Sequence, residues 1–267
     1  MRAIDSAINL SQALSQRLVV TWIINPALNC PLSELFLPSS TYSLVETTLS
    51  ISNPRDWKYF FLVDRNRRLH LINTVASLAR KILFERVIEL EMLDDLVQTS
   101  FDFRELKEFE RIYICTHNHF FRPKKMFAHF VLTEELKQRV DAVSAAFDDH
   151  TIGVHIRRGD SPKSISHSPL DAFVRVMNHE IRSCDKTTFY LATDCPATAL
   201  RMKELFGPRI LSFDRQYSRN TPDGIKDALV DLYCLSRTTR LLGSYWTSFS
   251  QTAAELTGIE RTTVTSA

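Results

Sequence analysis

An α/β fold built on parallel strands is what this sequence predicts, and three observations predict it. From Thr151 onward, β-patterned runs alternate with helix-patterned runs four times, and such alternation packs economically as a parallel sheet with right-handed crossovers. Three of the helices begin at or next to a proline, Pro169 (after Ser168), Pro196 and Pro222, and proline suits the first helical position because its missing N–H would be unbonded there. Each strand ends on polar residues, and in open α/β sheets ligands bind outside the carboxyl ends of the strands.

Composition sets the outer limits. The 267 residues suffice for one large domain or two smaller ones, and 44% hydrophobic with 24% charged residues is ordinary for a globular protein. Thirty-three basic against 31 acidic side chains leave a formal charge of +2, which gives no support for a nucleic-acid or membrane surface. No apolar run is long enough to span a bilayer, and the first residues do not form a secretory signal. Five scattered cysteines, Cys30, Cys115, Cys184, Cys195 and Cys234, favour reduced thiols and a cytoplasmic setting.

In chain order, Ala3, Ala7, Leu10 and Leu14 recur at helical spacing, as do Ile4 and Ile8, so the sequence opens inside a helix. Arg17–Ile24 (RLVVTWII) reads as a strand. An alternating fold wants a strand before that first helix, so either the fold starts with a helix or a first strand and its loop are missing from this sequence. After Asn25–Pro26 and Pro31, Leu35–Phe36 reads as a short packing turn. Strands are expected at Tyr42–Ile51, Tyr59–Val63 and Arg111–Thr116, and a helix at Thr74–Phe84. Glu85–Leu106 reads as a helix followed by a loop, and Arg65–Arg68 (RNRR) as a solvated basic turn. Val131–Phe147 is a helix with a stripe of Leu132, Leu136, Val140 and Val143. Asp148–His150 breaks it, which divides the chain into domains 1–148 and 149–267.

The second domain reads as strand Thr151–Ile156, a polar loop (SPKSISHS, 161–168), helix Pro169–Arg182, strand Thr188–Ala192 and helix Ala197–Phe206. Strand Arg209–Phe213, helix Asp223–Arg237, strand Leu241–Ser244 and closing helix Ser248–Leu256 follow. The stretch TIGVHIRRGD (Thr151–Asp160) organises the rest. Neighbouring strand residues point to opposite faces, so one of Arg157 and Arg158 must be aimed into the crevice at the strand end. An arginine there suits a phosphate, because its planar fork donates two parallel hydrogen bonds. The other strand ends bring Thr193–Asp194, Ser212, and Thr247, Ser248, Phe249 and Ser250. The last group starts a helix, whose free N–H groups and dipole favour an anion. Each member has a structural alternative: Ser248 as a helix cap, Asp194 as the cap of the next helix, His155 as a core histidine. Asp194 also suits the N–H groups of a guanine edge or ribose hydroxyls.

Other ligand classes fit less well. Neither GxGxxG nor GxxxxGK[ST] occurs among six glycines, and there is no GxSxG elbow. Cys115, His117 and His119 alternate, which on a strand would place all three on one face, but no fourth metal ligand follows at a suitable spacing.

HIRRGD, FYLATD and GSYWTSFSQTA, in this order and spacing, resemble the three motifs of the superfamily of α1,2-, α1,6- and protein O-fucosyltransferases, nearest to bacterial nodulation-type α1,6-fucosyltransferase-like proteins. The resemblance covers about 151–259, and MRAIDSAINLSQAL with RLVVTWIINPALNC is similar to the family's first helix and second strand. It implies a GT-B-like arrangement of two Rossmann-type domains, the first on the acceptor side and the second binding GDP-fucose. It implies inverting transfer to a glycan, glycolipid or glycosylated acceptor, with no metal and no cofactor beyond the donor substrate. Carried over by motif, His155 and Asp194 contact guanine or its ribose, and Arg157 or Arg158 grips the diphosphate. Ser212 and Thr247–Ser250 complete the nucleotide pocket, and Asp160 stands as the candidate base. Two departures accompany the likeness. The family's GGLGNR-like loop would precede Met1–Arg2, and the lysine and glutamate that follow HxRRxD in animal α1,6 enzymes lack equivalents, Lys163 being near but out of register. A degenerate GDP-sugar-binding protein, or a transferase for another GDP-sugar, is the alternative.

Overall fold

The structure, a computed structural model, describes residues 1–49, 70–122 and 125–266. The strand expected at 59–63 and the basic run at 65–68 lie outside the described residues. The chain separates into two compact units, Met1–Val131 and Leu132–Ala267.

The first unit opens with helix α1 (Arg2–Leu14), closed by Ser15 in the left-handed conformation. Strand β1 (Val19–Ile23) pairs in parallel with β2 (Ser43–Thr47), Val19 opposite Ser43. Helix α2 is His70–Leu83. The run expected as one helix and a loop divides into strand β3 (Arg86–Ile88), helix α3 (Leu90–Gln98) and a 3-10 turn, Phe103–Glu108. A three-residue strand is too short to show a period of two, which is why the acid- and leucine-rich pattern hid it. β3 pairs in parallel with β4 (Ile112–Ile114). Leu10 of α1 packs with Ile88, Leu93, Phe103, Leu106 and Phe120 in this unit's core. Because β4 ends at Ile114, Cys115, His117 and His119 do not share a strand face. His119 Nδ1 is 3.2 Å from Ser6 Oγ. Among the described residues no cluster of three or more metal-ligating side chains occurs.

The second unit starts with helix α4 (Glu134–Ser144), which the sequence reading had placed with the first domain. It stays in this unit because it packs on helix α8 (Pro222–Ser236). Arg139 ion-pairs with Asp227, and Arg237 Nη1 reaches Asp141 at 2.6 Å and Ser144 Oγ at 2.7 Å. With α4 on one side and the sheet on the other, α8 is buried nearly all round, which explains its apolar content.

Five parallel strands form the sheet: β5 (Thr151–Ile156), β6 (Thr188–Thr193), β7 (Ile210–Leu211), β8 (Leu241–Ser244) and β9 (Arg261–Val264). Their order is β7-β6-β5-β8-β9, and every pairing is parallel. The order reverses between β5 and β8, the topological switch point of a doubly wound sheet. The crossovers carry α5 (Pro162–His167) with α6 (Leu170–Ser183), then α7 (Pro196–Phe206), α8, and α9 (Ser248–Thr257). The segment read as a polar loop is thus partly the short helix α5, capped by Ser161 Oγ, which accepts from Ser164 N–H at 3.3 Å. Strand β9, unread in the sequence, adds a fifth strand.

Residue parity on β5 divides the core. Ile152, Val154 and Ile156 face Phe173, Met177, Met202 and Phe206. On the other face Gly153 lies against α8: a Cβ there would stand 2.6 Å from Thr238 Oγ1 and 3.2 Å from Leu235. No helix among the described residues is long and apolar enough to cross a membrane.

Candidate functional site

At the switch point of the second unit, the ends of β5, β6 and β8 surround a pocket. His155 and Arg157 reach it from β5, Thr193 and Asp194 from β6, and Thr247 and Phe249 from the start of α9. A loop carrying Arg215 to Arg219 and the first half of α8, with Asp231, close it.

Parity places the first group. His155 and Arg157 follow Gly153 on one face, whereas Arg158 follows Ile156 on the other. The Arg158 guanidinium accordingly turns away from the pocket and donates to the carbonyls of Ser168 at 2.8 Å and Ile165 at 3.4 Å. Arg157 faces the pocket, oriented by Asp160 Oδ1, which accepts from its Nη2 at 2.7 Å and Nε at 3.1 Å. Arg219 Nη1 approaches the other Asp160 oxygen at 3.9 Å. The Arg157 hydrogen bond holds the Asp160 carboxyl below its ordinary value. A carboxylate shared by two guanidinium groups is a weakened proton acceptor, better fitted to orient arginine than to act as a base.

His155 is 6% exposed and stacks on Phe249, with ring centroids 4.8 Å apart and planes inclined by 27°. Burial, then the charges of Arg157, Arg261 and Arg219, lower its pKa to about 3. The ring is therefore neutral at pH 7. Its Nδ1 is buried and makes no hydrogen bond among the described residues. An orphaned polar atom in a pocket wall is uncommon in a folded protein and points to a ligand partner.

Asp194 lines the pocket, yet its oxygens already accept from the backbone N–H of Arg158 at 2.7 Å and Gly159 at 3.1 Å. It does not cap the following helix, whose first residue follows Cys195 with no side-chain cap. Its first task is to fix the turn that aims Arg157. Thr247 caps α9, its hydroxyl accepting from Phe249 N–H at 3.3 Å, so the first turn of a ten-residue helix opens beside Arg157 and His155.

Besides Arg158 and Asp160, three expected residues are not brought into the pocket lining. β7 pairs only over Ile210–Leu211, so the chain leaves the sheet before Ser212, and the Arg215–Arg219 loop lines the pocket instead. Ser250 is fully buried, its Oγ accepting from Arg261 Nε at 2.9 Å. Ser248, the first helical residue, is half-buried outside the lining.

Sequence reasoning missed the Arg215 loop and Asp231. Arg215 and Asp231 are 5% and 7% exposed and form an ion pair. Arg215 also donates to the Leu191 carbonyl at 3.1 Å and lies 4.6 Å above the Phe213 ring. Tyr190 Oη donates to Asp231 at 2.6 Å. Burial raises the Asp231 pKa to about 6, against the lowering effects of Arg215 and the Tyr190 hydroxyl. Asp231 is therefore mostly ionised at pH 7. The signal for it was available: an aspartate inside the apolar helix pattern of ALVDLYCL is a buried charge that needs a reason. The loop is seated by Gly224, where a Cβ would stand 1.7 Å from the Ser218 carbonyl oxygen, so only glycine allows this approach.

No protein-family model matches the chain, and no curated protein matches it. Solved structures do. NodZ α-1,6-fucosyltransferase co-crystallised with GDP matches at TM-score 0.59 and 19% identity, over 94% of this chain and 86% of that one. The same enzyme soaked with GDP-fucose matches at TM-score 0.61 and 19% identity, over 95% and 87%. POFUT1 in complex with GDP-fucose matches at TM-score 0.53 and 12% identity, over 98% and 93%. The expected fold class holds: the chain has an α/β fold with parallel sheets, similar to that of these GT-B-like fucosyltransferases.

Proposed function

We propose that the chain is a GDP-fucose-dependent glycosyltransferase that moves fucose to a glycan-type acceptor with inversion and without a metal ion. The observation that carries this reading is one pocket at the switch point holding a neutral, orphaned histidine, an oriented arginine and a helix start. The fold of the chain is similar to that of structures solved with GDP and GDP-fucose.

Guanine carries adjacent N–H donors and an aromatic face, and a diphosphate carries charge. His155 Nδ1 and the Asp231 carboxylate meet the nucleoside, with Asp194 beside the ribose. Arg157 and the first turn of α9, from Thr247 through Phe249, meet the diphosphate. Arg158 acts one step back, tying the turn to the Ser168 carbonyl.

In transfer, an acceptor oxygen forms a bond to the anomeric carbon from the face opposite GDP. The bond from that carbon to the β-phosphate oxygen breaks, and its electron pair leaves with GDP. The acceptor proton passes to a base for which Asp160, held by Arg157, is poorly suited. Charge grows on the β-phosphate as the bond breaks, and a fixed guanidinium with helix N–H groups stabilises it without Lewis acid help. No disulfide joins Cys184, Cys195 and Cys234 among the described residues, which suits a cytoplasmic site of action. The test is calorimetric binding of GDP and GDP-fucose, followed by fucose transfer in the presence of EDTA. Binding of neither nucleotide overturns the reading.

A further inference from the structure

Trp246 is 66% exposed and has φ of 54°, a conformation that bulky side chains rarely adopt. Backbone strain of this kind persists only where the surroundings impose it, and it concentrates at ligand sites. The surroundings are visible here. The buried Ser164 hydroxyl donates to the Tyr245 carbonyl at 2.8 Å, and Tyr245 N–H donates to the Ser168 hydroxyl at 2.7 Å. Helix α5 thereby clasps residue 245 and forces the next residue outward. Lys163 of α5 lies 4.9 Å from the centroid of the Trp246 ring, and His167 stacks on Tyr245 at 4.6 Å and 17°. Tyr245 and Trp246 are themselves 6.0 Å apart and inclined by 33°. The result is a shelf of aromatic rings edged by a lysine.

The shelf adjoins the pocket through the turns that follow β5 and β8. Trp246 directly precedes Thr247, and α5 follows Asp160 after its cap Ser161. Its chemistry selects the occupant. Exposed apolar side chains in this region are Trp246 and Ile165, too few for a stable protein interface. A pyranose ring offers a face of polarised C–H groups to an aromatic face and a rim of hydroxyls to a lysine, and this mixed surface matches.

We infer that Trp246, braced by Lys163, is the stacking platform for the acceptor saccharide. The inference rests on the glycosyltransferase reading above and assigns its acceptor subsite. The test is tetrasaccharide binding, with glucose and N-acetylglucosamine tetramers as probes, to the full chain saturated with GDP. Variants are Trp246→Gly, which keeps the backbone conformation, and Trp246→Phe, which keeps a ring. GDP affinity is measured on all three. The expected result is at least tenfold weaker saccharide binding in Trp246→Gly, recovery in Trp246→Phe, and GDP affinity within twofold throughout. With GDP binding intact, saccharide binding that is absent from the native chain or unchanged in Trp246→Gly overturns the platform alone. Failure of the native chain to bind GDP overturns the function on which it rests.

Discussion

Acidification tests the buried state of His155 directly. The unfolded chain protonates this histidine near its ordinary value of about 6.5, whereas burial and three arginines lower it in the fold to about 3. Between those values the unfolded state binds the extra proton. Stability therefore falls as pH drops through 6.5 and continues to fall toward 3. From pH 7.5 to pH 5 the unfolded state gains about 1.5 units of this linkage, and at about 1.36 kcal/mol per unit the loss is about 2 kcal/mol. Asp231 works the other way. Its folded pKa of about 6 lies above the ordinary aspartate value, so its share of stability rises as pH falls from 6 toward 4. Comparison of the native chain with His155→Asn removes Asp231 from both sides. Urea unfolding at pH 7.5 and pH 5 should show the native chain's free-energy advantage over the variant shrinking by about 2 kcal/mol. An advantage constant to within about 0.5 kcal/mol would refute the reasoning, because it requires an imidazole that titrates alike in both states.

Three other predictions concern the turn, the sheet and the chemistry. Arg158→Ala removes charge-assisted bonds to the Ser168 and Ile165 carbonyls; it should lower unfolding free energy by about 1–3 kcal/mol, with GDP affinity reduced less than tenfold in calorimetry. Gly153→Ala places a Cβ 2.6 Å from Thr238 Oγ1 and should cost about 1–3 kcal/mol in thermal unfolding by overpacking the β5–α8 contact. Fucose transfer should proceed at the same rate with and without EDTA, and strong activation by Mn²⁺ would count against charge stabilisation by Arg157 and the helix start.

Much of the second unit was legible because its signals are local. A buried strand with Ile152, Val154 and Ile156, prolines at helix starts and polar strand ends each write themselves into a few adjacent residues. The choice between Arg157 and Arg158 was also latent there. Parity from Gly153, whose face must lie against α8, puts Arg157 and not Arg158 with His155. What stayed hidden depends on contacts distant in the chain. Asp194 reads alike whether it binds a ligand or, as here, the N–H groups of Arg158 and Gly159. Asp231 looks misplaced until Arg215 and Tyr190 are beside it. Ser212 lies outside the pocket lining because β7 stops at Leu211. In the first unit, strands of three residues, β3 and β4, are too short for any period to register.

GDP binding to the native chain and to Arg157→Ala, measured by calorimetry at one salt concentration, tests the central claim most directly. The pocket geometry predicts saturable binding to the native chain and a large loss in Arg157→Ala, with transfer reduced by roughly 10²–10³-fold. No binding by the native chain, or equal affinity in the two proteins, would contradict a diphosphate grip at the end of β5.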